Sequence, residues 1–210
     1  MKQHNGVWLP ENETHFVDMM NEDGTYQRDA FLACMEYVKY PKIFYDVGAH
    51  VGLWSLMAIK AGFERINAYE PNPVTFECLK KNLANRNGKY KAQLSRQGIS
   101  QSYKRLNIIE EHEGNSGAIK VIETNEVGET LSFSINDDPV HEYIKIFKIK
   151  PHETLVKIDT EGMEVECVLG MDKILYALRP VVCVEQRSNK DALDILQKMG
   201  MQIVKIVRKD

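Results

Sequence analysis

The sequence predicts an α/β domain: a mostly parallel sheet with helices on both faces and a small antiparallel β insert. Three observations carry this. Short apolar runs ending in glycine or acidic residues alternate with stretches of helical periodicity, the order that yields parallel strands joined by crossovers. The alternation is interrupted between about residues 103 and 136, where strand-like runs follow one another. The length, 210 residues, suits one compact domain. We therefore expect an N-terminal cap segment over residues 1–42 and the α/β domain over 43–210.

Each element has its own reason. Arg28 to Lys39 places Phe31, Met35 and Val38 at helical spacing. Ile43, Phe44, Tyr45 and Val47 form an apolar run of the kind buried on both faces of a parallel sheet. Gly48 and Gly52 punctuate it, and a helix follows to about Ala61, with Leu53, Leu56 and Met57 on one face and Gly62 as its stop. Ile66–Tyr69 is a second strand. A helix from Pro73 sets Phe76, Leu79 and Leu83 inward and stops near Gly88. Arg105–Ile109, Ile119–Ile122 and Leu131–Ile135 are strand candidates separated by turn-like stretches at Glu113–Gly117 and Asn125–Glu129, which predicts a meander. Thr154–Ile158 resumes the parallel order. One helix from about Met163 carries Val165, Val168, Leu169 and Leu175. Pro180–Val184 is a strand, a helix capped by Ser188 and Asp191 ends at Gly200, and Gln202–Val207 is a final strand.

Composition narrows the function classes. Hydrophobic residues at 43% and charged residues at 27% fit a folded globular chain and not a disordered one. A net charge of -3 gives no global pull toward nucleic acid, and Lys80-Lys81 and Lys145, Lys148 and Lys150 read as solvated faces. No apolar run is long enough to cross a bilayer, and Met1–Pro10 lacks a secretory signal's apolar stretch. Cys34, Cys78, Cys167 and Cys183 form no CxxC pair and no zinc pattern, so we expect reduced, buried thiols in a cytoplasmic protein and no metal site.

The chemistry should lie at the carboxyl ends of the parallel strands, where ligands bind in open α/β sheets. The first strand ends in Asp46-Val47-Gly48-Ala49-His50-Val51-Gly52. Glycines there permit a sharp turn and a close ligand approach. The motif is not GxGxxG and no Walker lysine follows. Asp46 suits a ligand with a cationic end, such as the ammonium and sulfonium of S-adenosylmethionine. Glu70, ending the second strand, is placed to accept bonds from vicinal ribose hydroxyls. The run Lys157-Ile158-Asp159-Thr160-Glu161-Gly162-Met163-Glu164 puts three acids at a strand end. Lys157 and Asp159 need partners or access to the cleft. Glu161 and Glu164 can alternatively serve a helix N-terminus. Glu185 is a fourth cleft candidate.

In this order, YDVGAHVG, AYEPNP, VKIDTEGMEVECVLG and PVVCVEQ resemble the successive motifs of the FkbM-type methyltransferases, over roughly Ile43 to Gln186. The resemblance implies a Rossmann-like class I, S-adenosylmethionine-dependent methyltransferase, typically acting on oxygen. It implies cofactor binding by Asp46, Gly48, Ala49, His50, Gly52 and Glu70. Gly98, Ile99 and Ser100 resemble the segment beside the adenine. Lys157, Asp159, Glu161 and Glu164 match the family's KID-x-EG-x-E signature; we expect the catalytic set to be Asp159, Lys157 and Glu161, with Asp159 as the base. His50 stands where asparagine is common and Gly98 where alanine is common. The chain also has room for one strand after the fifth parallel strand, where such enzymes usually have two.

The expected acceptor is a hydroxylated small molecule or glycan, such as a sugar or natural product, with no membrane or nucleic-acid partner indicated. The competing readings are a dinucleotide-binding oxidoreductase, disfavoured by the missing GxGxxG and second nucleotide half, and a non-catalytic S-adenosylmethionine-binding protein. The insert, with the segment around Tyr26 and Gln27, is expected to wall the acceptor site.

Overall fold

A computed structural model describes residues 1–84, 89–124, 130–136, 140–185 and 191–207. The chain opens with a hairpin of β1 (Lys2–His4) and β2 (Val7–Leu9), turned at Asn5-Gly6 with both residues at positive φ. Asn-Gly is the dipeptide that favours this turn, so the N-terminal segment is more regular than its polarity suggested. Helices α1 (His15–Met19) and α2 (Arg28–Met35) follow. Then come β3 (Ile43–Val47), α3 (Leu53–Lys60), β4 (Arg65–Tyr69), α4 (Pro73–Asn82) and β5 (Lys91–Ser95). Asn72 caps α4, its side chain accepting the Val74 N–H at 2.9 Å. The insert comprises β6 (Gly98–Ile99), β7 (Lys104–Glu110), β8 (Ile119–Glu123) and β9 (Thr130–Phe133). The chain continues through α5 (Val140–Phe147), β10 (Thr154–Ile158), α6 (Glu164–Gly170), α7 (Asp172–Leu178), β11 (Val181–Val184) and α8 (Asp191–Lys198).

The central sheet has five strands in the order β11-β10-β3-β4-β5, all pairings parallel. Strand β3 starts the series; β4 and β5 extend it one way, β10 and β11 the other. The order therefore reverses between β3 and β10, and a crevice opens at the carboxyl ends of those two strands. Alternate residues of β3 feed opposite cores. Ile43, Tyr45 and Val47 pack with Val168, Ile174 and Leu175 of α6 and α7. Phe44 packs with Phe31 of α2, Met57 of α3 and Leu79 of α4. Burial on both faces is why β3 and β10 read as continuous apolar runs.

Three expectations are corrected. The insert is not a meander. Its order is β6-β9-β7-β8, so β9 pairs antiparallel with the far side of β7 and parallel with β6. Thr130 and Ser132 of β9 are buried, whereas β8 shows mostly exposed or half-buried residues and makes the outer edge. Second, the helix after Gly162 is two helices, broken at Met171. The Gly170 carbonyl accepts from Ile135 N at 3.0 Å and Ser134 Oγ at 3.1 Å, which spends the acceptor at the break on the insert. Third, residues 202–207 form no strand. Ile203, Val204, Ile206 and Val207 are all exposed, so neither face of the alternating pattern has a core to pack on. Lys205 instead pairs with Glu36 at 2.9 Å. The predicted stop at Gly88, the turn at Asn125–Glu129 and the cap at Ser188 lie outside the described residues. Among the described residues, no helix is long and apolar enough to cross a membrane.

Candidate functional site

A cleft lies at the carboxyl ends of β3, β4 and β10. The turns after these strands contribute Gly48, Ala49, His50, Glu70, Asp159 and Glu161 to its wall, and β10 contributes Lys157. The N-terminal segment adds Phe16, Tyr26 and Gln27. The insert adds Leu106, Ser116, Ile119 and Val121. Gly98 and Ile99 line the side toward Cys167 and Met163. Asp46, Gly52 and Ser100 do not line it, although sequence reasoning placed them with the ligand. Each is claimed by the fold. The Asp46 side chain is fully buried, accepts from Ser55 Oγ at 2.6 Å and faces Lys157 Nζ at 3.5 Å. A Cβ on Gly52 would lie 2.6 Å from Leu79, so this glycine lets α3 approach α4. The buried Ser100 hydroxyl bonds the Ser102 carbonyl and Ser132 Oγ.

Gly48 is also needed for a different reason than the sequence suggested. It sits at φ +72°, and a Cβ there would meet the Asp159 carbonyl oxygen at 1.9 Å. The glycine thus permits two strand ends to touch, and it also lines the cleft. Asp159 N donates to the Val47 carbonyl at 3.1 Å across the same junction.

Lys157 secures that junction. Its ammonium donates to the Val47 and Gly48 carbonyls and lies 3.5 Å from Asp46 and 3.9 Å from Asp159. Burial alone would lower its pKa; the carboxylates of Asp159, Asp46 and Glu70 outweigh this and raise it. Lys157 is therefore a charged tether. Asp159 beside it is pushed up to about 7, chiefly by burial, with Lys157 opposing and a hydrogen bond that its protonated form donates to Glu185 adding to the rise. Carboxyl oxygens of Asp159, Glu161 and Glu185 lie within 4.8 Å of one another. Sharing a proton between Asp159 and Glu185 relieves the repulsion in that group. Glu161 sits at φ +56° on the cleft wall, a conformation uncommon for a side chain of its kind. Glu164 instead accepts from Thr160 N, Thr160 Oγ1 and Gly162 N at the start of α6, the helix-terminus role weighed for it.

Glu70 is buried at the cleft's other end. It accepts from His50 N at 2.7 Å, Asn72 N at 2.9 Å and Thr75 Oγ1 at 3.0 Å. Burial raises its pKa against these bonds. A carboxylate offers about four acceptor positions, so the carboxylate keeps room for about one ligand hydroxyl rather than the pair expected.

Sequence reasoning missed Glu13 and Ser116. Glu13, 1% exposed, accepts from Phe16 N and Ser116 N, each at 2.9 Å, and from the Ser116 hydroxyl. Burial would raise its pKa, but the Ser116 and Phe16 bonds prevail and lower it. Ser116 Oγ lies 2.7 Å from His50 Nε2. With the serine proton committed to Glu13, Nε2 must carry the imidazole proton. The His50 ring stacks on Phe16 at 4.4 Å, and burial lowers its pKa to about 4, keeping it neutral. This chain joins the N-terminal segment, the insert and the glycine turn. Its members are distant in sequence, and no local spacing could have signalled it.

The family model for the methyltransferase FkbM domain matches residues 46–203. The chain is also similar to a protein of Haloferax volcanii named hexuronic acid methyltransferase AglP. The two are 26% identical over 188 residues, covering 87% of this chain and 73% of that protein.

Proposed function

The chain belongs to the FkbM methyltransferase family, and from that premise we propose that it transfers a methyl group from S-adenosylmethionine to a hydroxyl of a small-molecule or glycan acceptor. The observation that carries the reading is Asp159. A carboxyl on the cleft wall with a pKa near 7 is matched to taking a proton at neutral pH. The parallel order with its reversal between β3 and β10 supports a Rossmann-like class I arrangement for the sheet.

The residues present fit the cofactor. Glu70 keeps an acceptor position for a ribose hydroxyl, and Ile99, Met163, Cys167 and Tyr69 give an apolar wall suited to the adenine. Asp159 and Glu161 favour a cationic end and disfavour the pyrophosphate of a dinucleotide. Of the cofactor-binding set, Gly48, Ala49, His50, Glu70, Gly98 and Ile99 remain assigned to contact, and Asp46, Gly52 and Ser100 to support. Bound S-adenosylmethionine supplies an electrophilic methyl group on a sulfonium. The chain must hold the acceptor oxygen in line and take its proton. Asp159 takes the proton, Lys157 fixes Asp159 against the glycine turn, and Glu161 orients the acceptor. The cap over residues 1–42 and the insert form the acceptor wall.

The Haloferax volcanii protein's name supports a sugar acid as one acceptor to test. The acids around Asp159 repel a carboxylate nucleophile, so within such a sugar we assign the hydroxyls as acceptors. Calorimetric titration of the protein with S-adenosylhomocysteine and with NAD tests the cofactor. We expect binding of the first and none of the second, and Glu70→Gln should weaken it at least about tenfold by removing a charge-assisted bond. Binding of NAD alone overturns the reading. Transfer of labelled methyl over a panel of neutral sugars and sugar acids, with the linkage identified as ether or ester, tests the acceptor.

A further inference from the structure

Cys34 and Cys183 come from opposite ends of the chain, yet they meet in one apolar cluster where α2 packs against β11, close enough for their thiols to interact. Cys34 is on α2 and Cys183 on β11, the edge strand of the central sheet. Both belong to the apolar cluster around Phe44, Ala58 and Leu155. The fold therefore creates a dithiol that no spacing in the sequence announces.

We propose that this pair is a modification site, oxidised by hydrogen peroxide to a disulfide that ties α2 to β11. The two thiols are inequivalent. Cys34 is buried, as are Cys78 and Cys167, whereas Cys183 is only partly buried and gives a reagent its way in. The Cys34 thiol, donating toward the Cys183 sulfur, holds Cys183 below the ordinary thiol range and is itself pushed up. Burial and the carboxylates of Asp159 and Glu185 oppose the Cys183 thiolate and Lys157 favours it, and the lowering by Cys34 prevails.

Cys183 is accordingly the attacking sulfur and Cys34 the resolving one. The Cys183 thiolate attacks one peroxide oxygen, the O–O bond breaks, and a sulfenic acid and hydroxide result. The Cys34 sulfur then attacks the Cys183 sulfur. The S–S bond forms and the S–O bond breaks. The oxygen leaves as water with the proton from Cys34, and the hydroxide is protonated by solvent. Two thiols are oxidised and one peroxide is reduced to two waters. The new bond fixes the helix that follows Tyr26 and Gln27 to the strand that precedes Glu185, and so bridges the cap segment and the acid group of the cleft.

The test uses the full chain, reduced and then exposed to hydrogen peroxide, with free thiols alkylated under denaturing conditions before non-reducing peptide mapping. The expected product is one linked pair of peptides carrying Cys34 and Cys183, with Cys78 and Cys167 alkylated, and dithiothreitol restores all four thiols. Cys183→Ser should give no linked peptide and leave Cys34 alkylatable. Persistence of both thiols after peroxide overturns the proposal. So does a linkage between any other pair, or Cys183 advancing to sulfinic acid with Cys34 still free.

Discussion

Gly48 and Asp159 meet backbone to backbone: a Cβ on the glycine would lie 1.9 Å from the aspartate's carbonyl oxygen. The two residues end neighbouring parallel strands, β3 and β10, at the point where the strand order reverses. The contact sets how closely the glycine turn and the acidic turn approach. Lys157, bonded to the Gly48 carbonyl and facing Asp159, holds them there.

Gly48→Ala should therefore destabilise the protein by roughly 2–5 kcal/mol. The left-handed backbone costs roughly 1–2 kcal/mol for a residue with a Cβ, and forcing a methyl into backbone costs roughly 1–3 kcal/mol further. Gly162→Ala is the control. It also sits at positive φ, but nothing lies within 4 Å of where its Cβ would be, so about 1–2 kcal/mol is expected. Denaturant midpoints compare the two. Equal losses would show that the contact with Asp159 is not what requires the glycine.

Asp159 should set the acid limb of the pH profile. With a carboxyl pKa of about 7, methyl transfer should rise tenfold per pH unit below that value and level above it. Asp159→Asn should abolish the limb and lower turnover by about a hundredfold or more, with cofactor affinity retained. A retained limb in the variant assigns it to another group. Stability should move the opposite way. The folded carboxyl binds its proton more tightly than the unfolded one, near 3.9. Its contribution therefore falls as pH rises from about 4 to about 7. Thermal midpoints of wild type and Asp159→Asn across that window give the difference.

Glu13→Ala should cost roughly 2–4 kcal/mol, because Phe16 N–H, Ser116 N–H and the Ser116 hydroxyl lose their shared acceptor. The sign with pH is opposite to that of Asp159. The folded Glu13 carboxyl lies below its unfolded value of about 4.3, so its stabilisation is present above that value and is lost as pH falls through the lower one. Hydrogen exchange at Phe16 and Ser116 should accelerate in the variant at neutral pH. Unchanged protection there would mean that the carboxylate does not hold the N-terminal segment to the insert.

The sequence by itself determined the elements of the parallel sheet that surround the cleft. β3, β4 and β10 were legible because burial on both faces demands continuous apolar runs, and their polar ends stand out against such runs. Glu70, Lys157, Asp159 and Glu161 were found that way, since strand ends at a reversal of order share one crevice. Tertiary structure decided what each residue meets. Asp46 is an acid like Glu70, but it lies two positions earlier relative to the end of its strand, inside the sheet, so it is buried against Ser55 instead of reaching the cleft. Gln202–Val207 has a strand's alternation, yet it forms none because neither of its faces finds a core. Glu13, Ser116 and His50, like Cys34 and Cys183, become partners only when distant segments pack. Periodicity reports which way a residue faces relative to its own element; a hydrogen bond between elements depends on coordinates that no local pattern contains.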